Sequence, residues 1–142
     1  MRVLATTHVL EATGASRTFV LLLLHLRELG WEVDLLLGRR SCWEEEVLAA
    51  GVCIIEKAEL TRYDIGLANC LFAGPQVVSM SRWLPVVYWV HEGSVTVQSM
   101  AGKELFNWFS CASRIIFQTR WQAQETFATF LNGVPGQRIH FI

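Results

Sequence analysis

The chain has 142 residues, 52% hydrophobic and 18% charged, and its twelve Lys+Arg against thirteen Asp+Glu give a formal charge of -1. A chain of this length suits one domain with a core of its own, since about 70% of its unfolded surface can be buried. The apolar balance excludes disorder, and the near-neutral charge offers no basic footprint for nucleic acid.

Arg2 to Thr6 reads as a buried strand, followed by a polar loop. From Ser16 to Leu29 the residues Phe19, Leu22, Leu23, Leu26 and Leu29 recur at helical spacing, and Gly30 is placed to end that helix. Glu32 to Leu37 is predicted as a second strand and Gly38 to Ser41 as a turn. Ser41 is expected to cap a helix from Cys42 to Ala50, with Glu44 and Glu45 favouring its N-terminus and Glu44 to Glu46 forming a solvated face. Gly51 closes it, and Val52 to Ile55 is a third strand. Glu56 to Asp64 reads as a polar connection, Ile65 to Ala68 as a short strand, Gly74 to Arg82 as a helix and Val86 to Val90 as a fifth strand. His91 to Gln98 reads as a loop, then Ser99 to Cys111 as a helix with Leu105, Phe106 and Phe109 inward. Arg114 to Gln118 is a strand, Trp121 to Leu131 a helix carrying Phe127, Phe130 and Leu131, residues 132–136 a turn cluster, and Arg138 to Ile142 a last strand.

Strands that alternate with helices throughout imply one α/β domain: a Rossmann-like, doubly wound parallel sheet of about six or seven strands with helices on both faces. Ligands in such sheets bind at the carboxyl ends of the strands. That rule points to residues 7–16, 69–74, 91–98 and 119–121.

The four cysteines, Cys42, Cys53, Cys70 and Cys111, have no zinc or redox spacing and are expected as lone buried thiols of a reducing cytosol. The apolar run from Phe19 to Leu24 is six residues, far short of the ~20 a membrane span needs. No secretory leader pattern opens the chain, so a cytoplasmic location is expected. Six tryptophans divide between core and a partner or membrane surface, which leaves peripheral association with the inner face of a membrane open. His25 and His140 are expected to be structural. No His/Cys/Asp/Glu set has metal spacing, and neither Ser94 nor Ser99 stands in a nucleophile-elbow pattern.

Two segments carry chemistry. The first loop holds His8, Glu11, Thr13, Gly14, Ala15, Ser16 and Arg17. Gly14 at a helix start lets backbone approach a ligand, the helix N-terminus favours an anion, and Arg17 adds charge. The alternative is a loop with a Thr13 or Ser16 cap and a surface Arg17. The second is His91-Glu92-Gly93-Ser94 at the end of a buried strand, where an imidazole can act as base or bond a hydroxyl and Glu92 can accept from hydroxyls. A plain loop histidine is the alternative.

In order along the chain, these residues resemble the N-terminal half of a GT-B glycosyltransferase of the retaining family 4 type. Arg2 to His8 resembles that family's first strand. Thr13-Gly14-Ala15-Ser16-Arg17 resembles its Gly-Gly-Ala-x-Arg loop, Leu29 to Val33 its Leu-x-x-x-Gly-His-Glu-Val pattern, and Tyr63 to Asn69 its Tyr-Asp segment ending in Asn. Pro85 to Glu92 resembles the strand that ends in His-Glu, Ala112 to Thr119 the next strand, and Pro135 to Ile142 the exit pattern. Departures are Thr13 for a glycine, Trp31 for a histidine, Ser113 for an acidic residue, and no Glu-x7-Glu pair.

The resemblance implies an acceptor-side domain for residues 1–142, with the donor-binding C-terminal domain outside them and no activity without it. It implies Gly14, Ala15 and Arg17 near the donor diphosphate and His91 at the transferred sugar as the catalytic contact. His8, Glu11, Asn69, Glu92 and Ser94 are implied as acceptor contacts. The nucleotide-sugar would be a co-substrate rather than a tightly bound cofactor, with no metal expected. Expected partners are the C-terminal domain and a sugar or glycolipid acceptor, not nucleic acid. Two other readings stay open: a non-catalytic sugar- or partner-binding module of the same fold, and another nucleotide-cofactor enzyme. The missing G-x-G-x-x-G and the Gly38-Arg39-Arg40 after the second strand weigh against the last.

Overall fold

The computed structural model describes residues 1–39, 42–98 and 102–142. Strands β1 (Arg2–Val9), β2 (Glu32–Arg39), β3 (Cys53–Ile55), β4 (Ile65–Asn69), β5 (Val86–Val90), β6 (Arg114–Phe117) and β7 (Ile139–Phe141) form one parallel sheet. Their order is β3-β2-β1-β4-β5-β6-β7. The chain therefore builds outward from β1 in one direction, returns, and builds outward in the other.

Alternation along β1 feeds two cores. Val3 and Ala5 pack with Phe19, Val20, Leu23 and Leu26 of α1 (Gly14–Glu28) and with Val47 of α2 (Glu44–Ala49). Leu4 turns to the other face, against Val77 and Met80 of α3 (Gly74–Met80) and Leu105, Trp108 and Phe109 of α5 (Gly102–Cys111). Burial on both faces is why the central strands read as continuous apolar runs. The second core holds an aromatic cluster: Phe109, Phe117 and Phe127 have ring centroids 5.3–6.1 Å apart. Each such pair contributes about 0.5–1.5 kcal/mol beyond its buried area.

The crossovers from β4 onward all cover that second face. Over β4, β5 and β6 the opposite face keeps an apolar groove of about 320 Å³ between Leu67, Trp89 and Ile116 of the sheet and Leu22, Leu26 and Trp31. At the amino edge, the Asp34 carboxylate accepts from Arg2 Nη2 (3.1 Å) and from the Tyr63 hydroxyl (2.8 Å), and Asp64 accepts from the Arg2 backbone N–H (2.7 Å). Burial, then the bond to Asp34, pushes the Tyr63 hydroxyl up to about 12. The Tyr-Asp pair thus pins β4 beside β1 and β2.

Several expectations change. β1 and β2 run further than predicted, to Val9 and Arg39, because both are held in register to their ends. The 91–98 segment is not all loop: Ser94–Gln98 forms α4, whose β-branched Val95, Thr96 and Val97 disguise it, and Val97 is buried. In α5 the inward residues are Leu105, Trp108 and Phe109, while Phe106 is 47% exposed. The helix predicted over Trp121 to Leu131 is a π-helix (Gln122–Thr126) followed by a 3-10 turn (Ala128–Leu131). The wider turn lets Gln122 and Phe127, five residues apart, both face inward. Within the 56–64 connection, Leu60–Arg62 forms a 3-10 turn. The second helix begins at Glu44, not Cys42; the Ser41 cap and the Ser99 helix start lie outside the described residues. His25 is exposed and pairs with Glu28 (3.3 Å), and His140 is exposed, so neither is a core histidine. The cysteines are free but not buried: Cys42 and Cys53 are exposed, Cys70 and Cys111 half-buried. Trp83 and Trp121 are exposed, whereas Trp89 and Trp108 are buried.

Gly74 starts α3 directly against the Trp108 indole, where a Cβ would overlap the ring. Gly74→Ala is expected to destabilise the domain by about 1–3 kcal/mol, the cost of overpacking a filled core. Urea unfolding midpoints with an unchanged m-value check it.

Candidate functional site

The order of strands reverses between β1 and β4, so the loops leaving these neighbours diverge. A cleft of about 290 Å³ opens there, lined by Thr7, His8, Val9, Glu11, Thr13, Ala15, Ser16, Arg39, Asn69, Cys70, Phe72 and Glu92. Five of the residues given a ligand contact from the sequence meet in it, His8, Glu11, Ala15, Asn69 and Glu92, together with Thr13 and Ser16 of the first loop.

One wall is the first turn of α1. Thr13 is its N-cap, with Oγ1 accepting from the Ser16 N–H (3.2 Å). The first N–H groups of a helix have no intrahelical acceptor and point toward an anion. A Cβ at Gly14 would meet nothing within 4 Å, so the approach is open. Arg17 does not line the cleft: its guanidinium pairs with Glu46 (2.6 Å) and lies 4.8 Å over the Trp43 ring. Trp43 Nε1 in turn donates to the Glu11 carbonyl (2.9 Å), and Arg39 pairs with the Glu11 carboxylate (2.8 Å). The loop is thus braced from α2 and β2.

The floor is the end of β4. Asn69 is 1% exposed; its Nδ2 donates to Thr7 Oγ1 (3.3 Å), while its Oδ1 is buried without a protein partner. Buried polar atoms are almost always satisfied, and this oxygen is one of the exceptions. Cys70 follows with φ 70°, a left-handed conformation that a Cβ disfavours. It turns the chain away from the sheet, and burial pushes its thiol up. The His8 ring packs on Phe72 at 5.6 Å across the opening.

Glu92 joins the loops after β4 and β5. Its Oε1 accepts from the Leu71 N–H (2.8 Å) and its Oε2 from the His91 N–H (3.1 Å). The Tyr88 hydroxyl donates to the Leu71 carbonyl (2.9 Å). Burial pushes the Glu92 carboxyl up, and the backbone donors oppose it. Both oxygens of Glu92 therefore already hold the scaffold.

His91 stands one strand away and does not line the cleft. Its ring lies 4.6 Å from that of Trp89, and its Nδ1 is 2.7 Å from Gln118 Nε2. Its Nε2 is enclosed without a partner. Burial pushes the imidazole down to about 4, so it is neutral at pH 7. Ser94 is exposed at the start of α4, also outside the cleft. Gln122, unmarked from sequence, is 7% exposed; it accepts from the Gln118 N–H (2.8 Å) and donates to the carbonyls of Val90 (3.3 Å) and Glu92 (2.9 Å). Gln118 was equally unmarked, while Cys70 and Phe72 lie in the 69–74 loop that the strand-end rule points to without a role of their own. Nothing local singles out Gln122, which opens the polar run Gln122-Ala123-Gln124-Glu125-Thr126, and nothing in a cysteine announces positive φ. Among the described residues no three His, Cys, Asp or Glu side chains form a group that could hold a metal ion. No helix among them is long and apolar enough to cross a membrane.

No family model and no curated protein matches the sequence. In three dimensions the chain is similar to Anabaena Alr3699/HepE, solved in complex with UDP, with a TM-score of 0.70 and 14% identity. The match covers 100% of this chain and 43% of that one, so the chain spans less than half the length of its structural neighbour. At that identity the likeness is one of fold: a seven-stranded parallel sheet with helices on both faces, the Rossmann-like architecture of one half of a GT-B fold.

Proposed function

We propose that these residues form the acceptor-side domain of a retaining, nucleotide-sugar-dependent glycosyltransferase. The observation that carries the reading is the cleft at the β1/β4 divergence, which gathers His8, Glu11, Ala15, Asn69 and Glu92 beside an open helix N-terminus. A hydroxyl-rich acceptor suits the polar His8, Glu11 and Asn69 of the lining, and the Gly14 and Ala15 N–H groups suit a diphosphate. The fold likeness to a protein solved with UDP is in keeping with this.

In this reading His8, Glu11 and Asn69 contact a sugar or glycolipid acceptor. Glu92 fixes the loop and Ser94 reaches the acceptor from its far side. Arg17 braces the diphosphate loop through Glu46 and Trp43. His91 donates a hydrogen bond to the transferred sugar and stabilises charge as the glycosidic bond to the nucleotide breaks. A second Rossmann-like domain, in the same polypeptide or a separate subunit, binds the nucleotide-sugar, and no residue here is assigned to a metal.

Two outcomes are expected. Titrating UDP into the isotope-labelled chain shifts amides of residues 13–16 and binds weakly. With a donor-binding domain supplied, nucleotide-sugar turnover appears and His91→Ala lowers it about 10²–10³-fold, the scale for one lost transition-state donor. Tight UDP binding by the chain alone favours the cofactor-enzyme reading, and wild-type turnover in His91→Ala removes His91 from the chemistry.

The pH dependence follows from burial of His91. Its folded value, about 4, lies below the ordinary 6.5, so the unfolded chain binds the extra proton first as pH falls. The stability that His91 contributes is present above pH 6.5 and is lost progressively down to about pH 4. Glu92, pushed up, acts oppositely, since its protonated form is favoured in the fold. Urea titrations at several pH values should therefore show a stability loss on acidification that is smaller in His91→Gln.

A further inference from the structure

The end of β6 carries the side chain that holds the His91 ring. Gln118 follows Phe117, and its own N–H is held by Gln122 Oε1 at 2.8 Å, which fixes its backbone beside the β5 loop. From there its side-chain amide reaches His91 Nδ1 at 2.7 Å. A neutral imidazole has one ring nitrogen that donates and one that accepts. A donating amide N–H requires the lone pair on Nδ1, which leaves the proton on Nε2. That nitrogen is the one enclosed without a protein partner. The Trp89 ring, at 4.6 Å and 39° to the imidazole, limits rotation that would exchange the two.

We propose that Gln118 is a positioning residue that sets the His91 tautomer, keeping the proton on the enclosed Nε2, so that a ligand oxygen reaching that nitrogen, such as a sugar hydroxyl, meets a hydrogen-bond donor. This rests on the glycosyltransferase reading for its purpose, but not for its geometry. The same contact disfavours a role for His91 as general base, because the basic lone pair is turned into the protein and occupied.

The test reads the ring directly in the isolated, nitrogen-labelled chain by long-range proton–nitrogen correlation. The four histidines are assigned with the help of His91→Gln. The wild type is expected to show the Nε2–H tautomer at pH 7. A carboxylate can only accept, so Gln118→Glu should draw a proton to Nδ1. Gln118→Ala should give a mixture of tautomers. An Nδ1–H tautomer in the wild type overturns the proposal, as does pure Nε2–H in Gln118→Glu. If Gln118→Glu fails to fold, the wild type and Gln118→Ala decide, pure Nε2–H in the latter being the overturning result. Loss of the glycosyltransferase reading leaves this measurement standing, since no turnover enters it.

Discussion

The pairing of β1 with β4 sets the geometry of everything above the sheet. Val3 to Thr7 lie in register with Ile65 to Asn69, so two strands far apart in sequence end side by side. Their continuations have opposite errands: β1 leads into α1 on one face, and β4 into α3 on the other. The chain parts at Thr7 and Asn69, whose buried side chains bond to each other at the floor of the opening. The Thr7–Asn69 bond satisfies one half of the asparagine amide and leaves its carbonyl oxygen buried without a protein partner.

Such an opening would be loose without ties across it. Glu92 provides one beside it, between the loops after β4 and β5: its half-buried carboxylate accepts from the Leu71 N–H and, within its own loop, from the His91 N–H, each bond on the scale of about 1.5–3 kcal/mol for a charged partner. Gln122 does the same for the next loop with neutral groups, and the π-helix is the local distortion that brings it there. The segment from His91 to Gly93 has no regular structure yet is held at Val90, His91 and Glu92. Order at this edge comes from side chains that terminate strands, not from the strands themselves.

This division explains what could be read from the sequence. Val86–Val90 matches its prediction to the residue, because a β-branched and aromatic run buried on both faces has one solution. Gly30 and Gly51 end their helices with φ near +79°, as glycine placement implies. The alternation of strand and helix was enough for the sheet and for the rule that points to its carboxyl edge. Local pattern failed where tertiary contact overrides it: at Ser94–Gln98, poor in helix formers, at Trp108, hidden among equally apolar neighbours, and over Gln122–Thr126, where one side chain's bonds choose the turn. In the site, residues adjacent to strand ends were found, and five of them share the cleft. The partnership of His91 with Gln118 spans two strands and has no local signature.

The contact between Gly74 and Trp108 extends beyond the energy of one substitution. The two positions compete for one volume, so neither can drift alone without cost. Across divergent sequences of this fold they should therefore change together: a larger residue at the start of α3 accompanied by a smaller one in the last part of α5. A pair of that kind is a historical marker, recording which helix packing a lineage has kept even after the rest of its sequence has ceased to be comparable.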